Sequence, residues 1–257
     1  MTVRKRFGQN FLTDPVSIQR IVDTINPQEK QHILEIGPGH GAITKALISS
    51  GCHLVAIEID RDLVASLDSV YSTQLQILSA DALKVDYASI CSPHRYRVVG
   101  NLPYNISTPL LFKLFSSIEH FSDMTFMLQE EVVNRICADA GASNYGRLSV
   151  MSQYFCVPEK QFKVAPTAFS PQPKVTSAII SLTPHQHPVR AKSLECLQQI
   201  VASAFNQRRK TIRNALKLFL SAQDFESLGI DSGRRPQTIH LSEYIKCADL
   251  VWQRQQS

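Results

Sequence analysis

No two of the six cysteines, at positions 52, 91, 137, 156, 196 and 247, lie closer than 19 residues apart. The chain therefore has neither a Cys-x-x-Cys pair nor the ligand spacing of a zinc site. Thiols so dispersed read as small buried hydrophobes in a reducing compartment rather than as a disulfide framework. Histidine offers no metal site either: of eight, only His185 and His187 are close-set, without a third ligand beside them, and no metal is expected. No uncharged apolar run approaches the length needed to span a bilayer. Met1-Thr2-Val3-Arg4-Lys5-Arg6-Phe7 runs straight into polar Gly8-Gln9-Asn10, without the apolar stretch of a secretory signal. A cytoplasmic protein with no membrane partner is expected. Internal repeats and low-complexity tracts are missing as well, which argues against fibrous and disordered classes.

What the sequence does contain is an ordinary globular composition, 44% hydrophobic and 19% charged over 257 residues. That length accommodates one large domain and a small one. The net charge of +5 is unevenly placed. Residues 1–184 hold 16 Lys+Arg and 16 Asp+Glu, whereas residues 185–257 hold 11 and 6, so the whole surplus lies in the second segment. A segregated basic segment points to a phosphate backbone as partner, although a solvated helical face is the commoner reason for such a surplus.

Up to about residue 130 apolar runs alternate with amphipathic ones. The strands expected are His32 to Ile36, Leu54 to Asp60, Leu75 to Ser79, Arg97 to Gly100 and Met124 to Leu128. Thr44 to Ser50, Arg61 to Tyr71, Thr108 to Ser117 and Glu130 to Ala138 carry apolar residues three and four apart, the helical period. The pattern predicts an α/β fold, a Rossmann-like, mostly parallel, doubly wound sheet. Val150 to Phe155 and Ser177 to Leu182, around the Pro-rich loop Pro166 to Pro173, read as a closing antiparallel hairpin. Two prolines in Thr183-Pro184-His185-Gln186-His187-Pro188 then interrupt the pattern. Beyond them Leu194 to Phe205, Ile212 to Leu220 and Leu241 to Trp252 are helical in period, so a domain of residues 1–184 and a small all-α domain of residues 185–257 are expected.

The chemistry is carried by strand ends. Leu34-Glu35-Ile36-Gly37-Pro38-Gly39-His40-Gly41 leads from the first of these strands into a helix, placing Gly37 and Gly39 where the backbone turns sharply against a ligand. The third glycine comes one residue earlier than in the dinucleotide pattern, a spacing that suits a nucleoside without phosphates. Glu58, at the end of the second strand, is placed to accept hydrogen bonds from ribose hydroxyls, and Asp81, after the third, from an adenine amine. The fourth strand ends in Asn101-Leu102-Pro103-Tyr104. An exocyclic base amine is a poor nucleophile because its lone pair is delocalised into the ring. The Asn101 side-chain oxygen and a main-chain carbonyl next to Pro103 can each accept one N–H and favour a tetrahedral nitrogen. Tyr104 supplies a flat face for the base. Methyl transfer from a sulfonium asks for alignment more than for acid–base power. The expected activity is S-adenosylmethionine-dependent methylation of a nucleic-acid amine.

These residues resemble the ribosomal RNA adenine dimethyltransferases, closest to the bacterial branch that acts on small-subunit (16S) ribosomal RNA. The resemblance extends to Lys5-Arg6-Phe7-Gly8-Gln9-Asn10-Phe11-Leu12, Tyr145-Gly146-Arg147-Leu148, Phe169-Ser170-Pro171-Gln172-Pro173-Lys174-Val175 and Ala204-Phe205-Asn206-Gln207-Arg208-Arg209-Lys210-Thr211. It implies that Asn10 and Leu12 close over S-adenosylmethionine, in a pocket completed by Gly37, Glu58, Asp81 and Asn101. It implies that Phe169 stacks on the far side of a flipped adenine from Tyr104, and that two adjacent adenosines near the 3′ end each receive two methyl groups. Arg208, Arg209, Lys210, Arg213 and Lys217, on a helix starting near Phe205, would face RNA phosphates. A monomer serving small-subunit biogenesis is expected. Two other classes remain open at this point: an NAD- or FAD-dependent oxidoreductase, favoured by the glycine loop and Glu58, and a non-catalytic RNA-binding assembly factor.

Overall fold

The structure, a computed structural model, describes residues 10–256. Lys5 to Gln9 of the N-terminal motif lie outside them. A short strand, β1 (Phe11–Leu12), precedes α1 (Pro15–Ile25). Asp14 starts that helix by accepting from the Ser17 N–H at 2.8 Å and the Ser17 hydroxyl at 2.6 Å, while Pro15 stands where no N–H bond is needed. Strand and helix then alternate: β2 (His32–Ile36), α2 (Thr44–Ser49), β3 (His53–Glu58), α3 (Arg61–Tyr71), β4 (Leu75–Ser79), α4 (Tyr87–Cys91), β5 (Tyr96–Asn101), α5 (Ser107–Phe115), β6 (Phe121–Gln129) and α6 (Glu130–Ile136). After α7 (Arg147–Phe155) come β7 (Cys156–Val164), β8 (Phe169–Ser170) and β9 (Ser177–Pro184). Helices α8 (Leu194–Asn206), α9 (Ile212–Ala215), α10 (Ala222–Ser227) and α11 (Leu241–Gln256) finish the described chain.

Among the described residues one sheet has the order β4-β3-β2-β5-β6-β9-β7. The pairs from β4 to β6 are parallel, and β9 runs antiparallel to β6, with Met124 opposite Leu182 and Gln129 opposite Ser177. Consecutive residues Ile33, Leu34, Glu35 and Ile36 are all buried, as are Leu54 to Glu58, so these strands are covered on both faces. One layer of the core joins Ile21 and Ile25 of α1 to Ile33, Leu47, Leu54, Leu67, Val99, Met127 and Ile179. Each such aliphatic side chain contributes about 1.5–3 kcal/mol through burial. Strand β1 pairs with β8 in a separate two-stranded ribbon, Leu12 opposite Phe169, and the Ala168 carbonyl accepts from the N–H groups of Thr13 (2.8 Å) and Asp14 (3.2 Å).

Three expectations are corrected. Val150 to Phe155 is helix, not strand. Its buried residues Val150, Met151, Tyr154 and Phe155 recur four apart as well as side by side. The helix begins where the Ser149 hydroxyl accepts from the Gly146 N–H (2.9 Å) and donates to the Arg135 carbonyl. The edge strand beside β9 is instead β7, which alternates exposed and covered residues. Second, a single cut near residue 185 does not describe the packing. One compact unit runs to Val133 and resumes over Pro158–Pro184, and the other comprises Asn134–Val157 and continues from His185. The first crossings fall inside α6 and β7, where no change of composition marks them. Third, the basic run from Arg208 is not a helix start: α8 ends at Asn206, and Arg208, Arg209 and Lys210 occupy the turn before α9, closed by the Lys210 N–H on the Gln207 carbonyl at 2.8 Å.

In the second unit, α8 buries Cys196, Leu197, Ile200, Val201 and Ala204, and α11 buries Tyr244, Ile245, Cys247, Ala248 and Val251. The Tyr145 hydroxyl donates to the Ile239 carbonyl (3.1 Å) and that of Tyr244 to Pro236 (2.7 Å), so both buried phenols are satisfied. All six cysteines are free thiols, with Cys91, Cys156, Cys196 and Cys247 buried. Among the described residues no helix is long and apolar enough to cross a membrane.

Candidate active site

Chain order along the sheet reverses between β2 and β5, since β3 and β4 extend to one side of β2 and β5 to the other. In an open parallel sheet such a reversal leaves a crevice beyond the carboxyl ends of the two strands. The backbones close in tightly there. A Cβ on Gly100 would stand 2.4 Å from the Ile36 carbonyl oxygen, so the approach of β5 to β2 admits only glycine. Gly39 turns with φ of +60°, and a Cβ there would meet the Phe11 ring at 3.2 Å.

A cavity of about 220 Å³ opens at this point. Its lining brings together Asn10, Leu12, Gly37, Gly39, Glu58, Asp81, Asn101, Pro103 and Tyr104, every cofactor-pocket candidate and three of the four catalytic ones. The fourth, Phe169, stands apart. The residue is 3% exposed and belongs to the core layer, its backbone is paired with Leu12, and it does not line the cavity.

Glu58 is buried, and its carboxylate is held by three backbone donors: Oε1 accepts from Ile59 and Asp60, each at 2.9 Å, and Oε2 from Gly39 at 3.3 Å. Burial still pushes its pKa up, and the Asp60 charge adds to that. A carboxylate offers about four acceptor sites. Oε2 therefore keeps room for one further strong donor. Asp81 Oδ1 accepts from the Leu83 N–H at 3.0 Å. Asn101, the last residue of β5, donates its side-chain N–H to the Asn10 carbonyl at 3.0 Å. That bond fixes which way the amide faces and leaves Oδ1 as its acceptor end. The Pro103 carbonyl is already engaged by the Ile106 N–H at 3.1 Å. Tyr104 is half-buried. Its phenol oxygen lies 2.6 Å from the Ser177 hydroxyl, and burial pushes its pKa up against the opposing pull of that bond.

Four further residues stand at the site beside these. Glu35 lines the cavity, 2% exposed, and accepts from the Thr44 hydroxyl at 2.7 Å; burial pushes its carboxyl up to about 7, the Thr44 bond opposing and the Glu58 charge assisting. Phe11 packs on the His40 ring at 4.1 Å between centroids, Gly100 permits the close strand approach, and Ser177 holds Tyr104. Glu35 stands just before the glycine loop, and that position is a signal for it in the sequence. The other three needs arise only in three dimensions. In the second unit Arg208, Arg209, Lys210, Arg213 and Lys217 are all exposed, and Arg208 donates to the Ser143 carbonyl. Among the described residues no group of three or more His, Cys, Asp or Glu side chains has the geometry to hold a metal ion.

A seven-stranded sheet with its sixth strand, in sheet order, reversed, and a crevice at the switch point make up the Rossmann-like fold of the S-adenosylmethionine-dependent methyltransferases. Two solved structures share the fold. The dimethyladenosine transferase of Plasmodium falciparum has a TM-score of 0.80 at 24% identity, covering 92% of this chain and 95% of that one. The 23S rRNA methyltransferase ErmE has a TM-score of 0.74 at 25% identity, covering 93% and 98%. The family model described as ribosomal RNA adenine dimethylase matches residues 1–251. The Ribosomal RNA small subunit methyltransferase A of Marinobacter nauticus is 49% identical over 251 residues, 96% of this chain and 91% of that protein. The chain belongs to the ribosomal RNA adenine dimethylase family. The oxidoreductase and non-catalytic alternatives fall with that membership.

Proposed function

We propose that the protein dimethylates the exocyclic amines of two adjacent adenosines near the 3′ end of 16S ribosomal RNA, as a cytoplasmic monomer acting on the small subunit or its precursor. When bound, S-adenosylmethionine supplies an electrophilic methyl on a sulfonium whose departure leaves a neutral sulfur. The residues present suit it: Glu58 Oε2 would take a ribose hydroxyl, Asp81 an adenine amine, and the backbone at Gly37 and Gly39, which carry no Cβ, would approach the ligand closely. Asn10 and Leu12, anchored through β1 to β8, cover the cofactor.

At the target base, Asn101 Oδ1 accepts one N–H of the adenine amine. The second acceptor is a main-chain carbonyl beside Pro103, and that of Leu102 is the one without the Ile106 N–H that already occupies one lone pair of the Pro103 carbonyl. Tyr104 lends its ring face to the base. Phe169, buried as it stands, serves to anchor β1, and would reach the base only if the β1·β8 ribbon shifted. Arg208, Arg209, Lys210, Arg213 and Lys217 dock RNA phosphates.

The observation that carries this reading is the Asn101 amide, whose nitrogen is committed to the Asn10 carbonyl so that its oxygen is the end left to accept. Asn101→Ala is expected to lower the methylation rate of unmodified small subunits about 100-fold or more, the usual cost of removing an aimed transition-state hydrogen bond. RNA affinity should stay within about twofold. Full activity in this variant would overturn the role assigned to Asn101.

A further inference from the structure

The geometry points to Ser177 as the residue that positions Tyr104 for the second methyl transfer to each adenosine. This rests on the dimethyltransferase reading above. Ser177 is fully buried at the start of β9, opposite Gln129 of β6, and the adjoining Thr176 carbonyl accepts from the Glu130 N–H at 2.9 Å. Its hydroxyl therefore sits on the sheet framework rather than on a loop. Tyr104, by contrast, follows β5 in an irregular turn before α5, where the Ser107 hydroxyl donates to the Tyr104 carbonyl at 3.1 Å. The 2.6 Å bond between the phenol and Ser177 ties the far end of the ring to the sheet, 73 residues away in sequence. A buried hydroxyl placed there is costly unless it is bonded.

The chemistry makes the two transfers unequal. In each, the amine lone pair forms the N–C bond as the methyl–sulfur bond breaks. The bonding pair leaves with sulfur, which becomes a neutral thioether, and the nitrogen sheds a proton to solvent. An unmodified amine brings two N–H groups, one for Asn101 Oδ1 and one for the neighbouring main-chain carbonyl. A monomethylated amine brings one. With one hydrogen bond fewer to orient it, the second transfer depends more on the aromatic face and on that face staying where Ser177 holds it. Ser177 is a positioning residue, acting through Tyr104.

The test uses the full-length protein, S-adenosylmethionine and unmodified small ribosomal subunits, with mono- and dimethyladenosine quantified over time by mass spectrometry. Ser177→Ala should slow the second transfer about three- to tenfold more than the first, the effect of one net hydrogen bond, so that N6-monomethyladenosine accumulates. Tyr104→Phe deletes the same bond from the other side and should give the same product ratio, and the double variant should be no worse than either single one. Calorimetric affinity for S-adenosylmethionine should be unchanged in all three, which separates positioning from loss of structure. An unaltered ratio of mono- to dimethylated product in the two single variants, or additive losses in the double, would overturn the inference. Absence of any methylated adenosine with the unsubstituted protein would instead overturn the activity on which it rests.

Discussion

Two carboxylates behind the glycine loop share one region of the sheet and differ in how they are held. Glu58 is gripped by three backbone N–H groups, Glu35 by the Thr44 hydroxyl, and burial raises both. For Glu35, lifted from 4.5 to about 7, the native state keeps its proton over a range where the unfolded chain has released it. Stability attributable to this group is therefore full below about pH 4.5 and falls as pH rises towards 7. Glu35→Gln keeps an acceptor for Thr44 and removes the titration. Its unfolding free energy should match that of the unsubstituted protein at pH 4.5 and exceed it at pH 8, by at most about 3 kcal/mol. Denaturant melts at the two pH values measure this, and a difference independent of pH would show that Glu35 does not titrate in that window.

At the level of elements, the strand ends bring the candidate residues to one crevice and the turns after them orient the side chains. Strands β2 to β5 were legible because apolar runs bounded by Gly, Asp and Asn leave little choice of ending. Gly37, Glu58, Asp81 and Asn101 were therefore locatable from local sequence alone. Helix α7 was not, since Val150, Met151, Tyr154 and Phe155 satisfy a buried strand as readily as a helix face, and only packing decides. The burial of Phe169 is hidden from the sequence for a similar reason: it follows from pairing with Leu12, remote in sequence. The basic run was legible as charge but not as shape. Three consecutive cations occupy the turn between α8 and α9 and are exposed, Arg208 while donating to the Ser143 carbonyl. Replacing Arg208, Arg209 and Lys210 together by Gln should weaken RNA binding and flatten the dependence of log affinity on log salt, by roughly 0.7–0.9 for each phosphate no longer neutralised. Titrations at several salt concentrations read the slope, and an unchanged slope would mean that these side chains do not meet phosphate.

On the scale of the whole molecule, the chain keeps the crevice at the sheet's switch point in one unit and most of its charge surplus in the other, and it weaves between them rather than passing once. Residues 134–157, enclosed in sequence by the first unit, pack with the C-terminal helices, so the two units cannot be separated by one cut. The sequence signalled only the last crossing, through Pro184 and Pro188. The earlier ones lie within regular elements and leave no compositional trace. Substrate choice and reaction chemistry can be probed together in the intact chain. Incubating it with isotope-labelled S-adenosylmethionine and small subunits lacking the modification, then mapping the label by mass spectrometry, tests the central claim most directly. The expected result is N6,N6-dimethyladenosine at two adjacent positions near the 3′ end of 16S ribosomal RNA; label confined to other nucleotides, or none transferred, would contradict it.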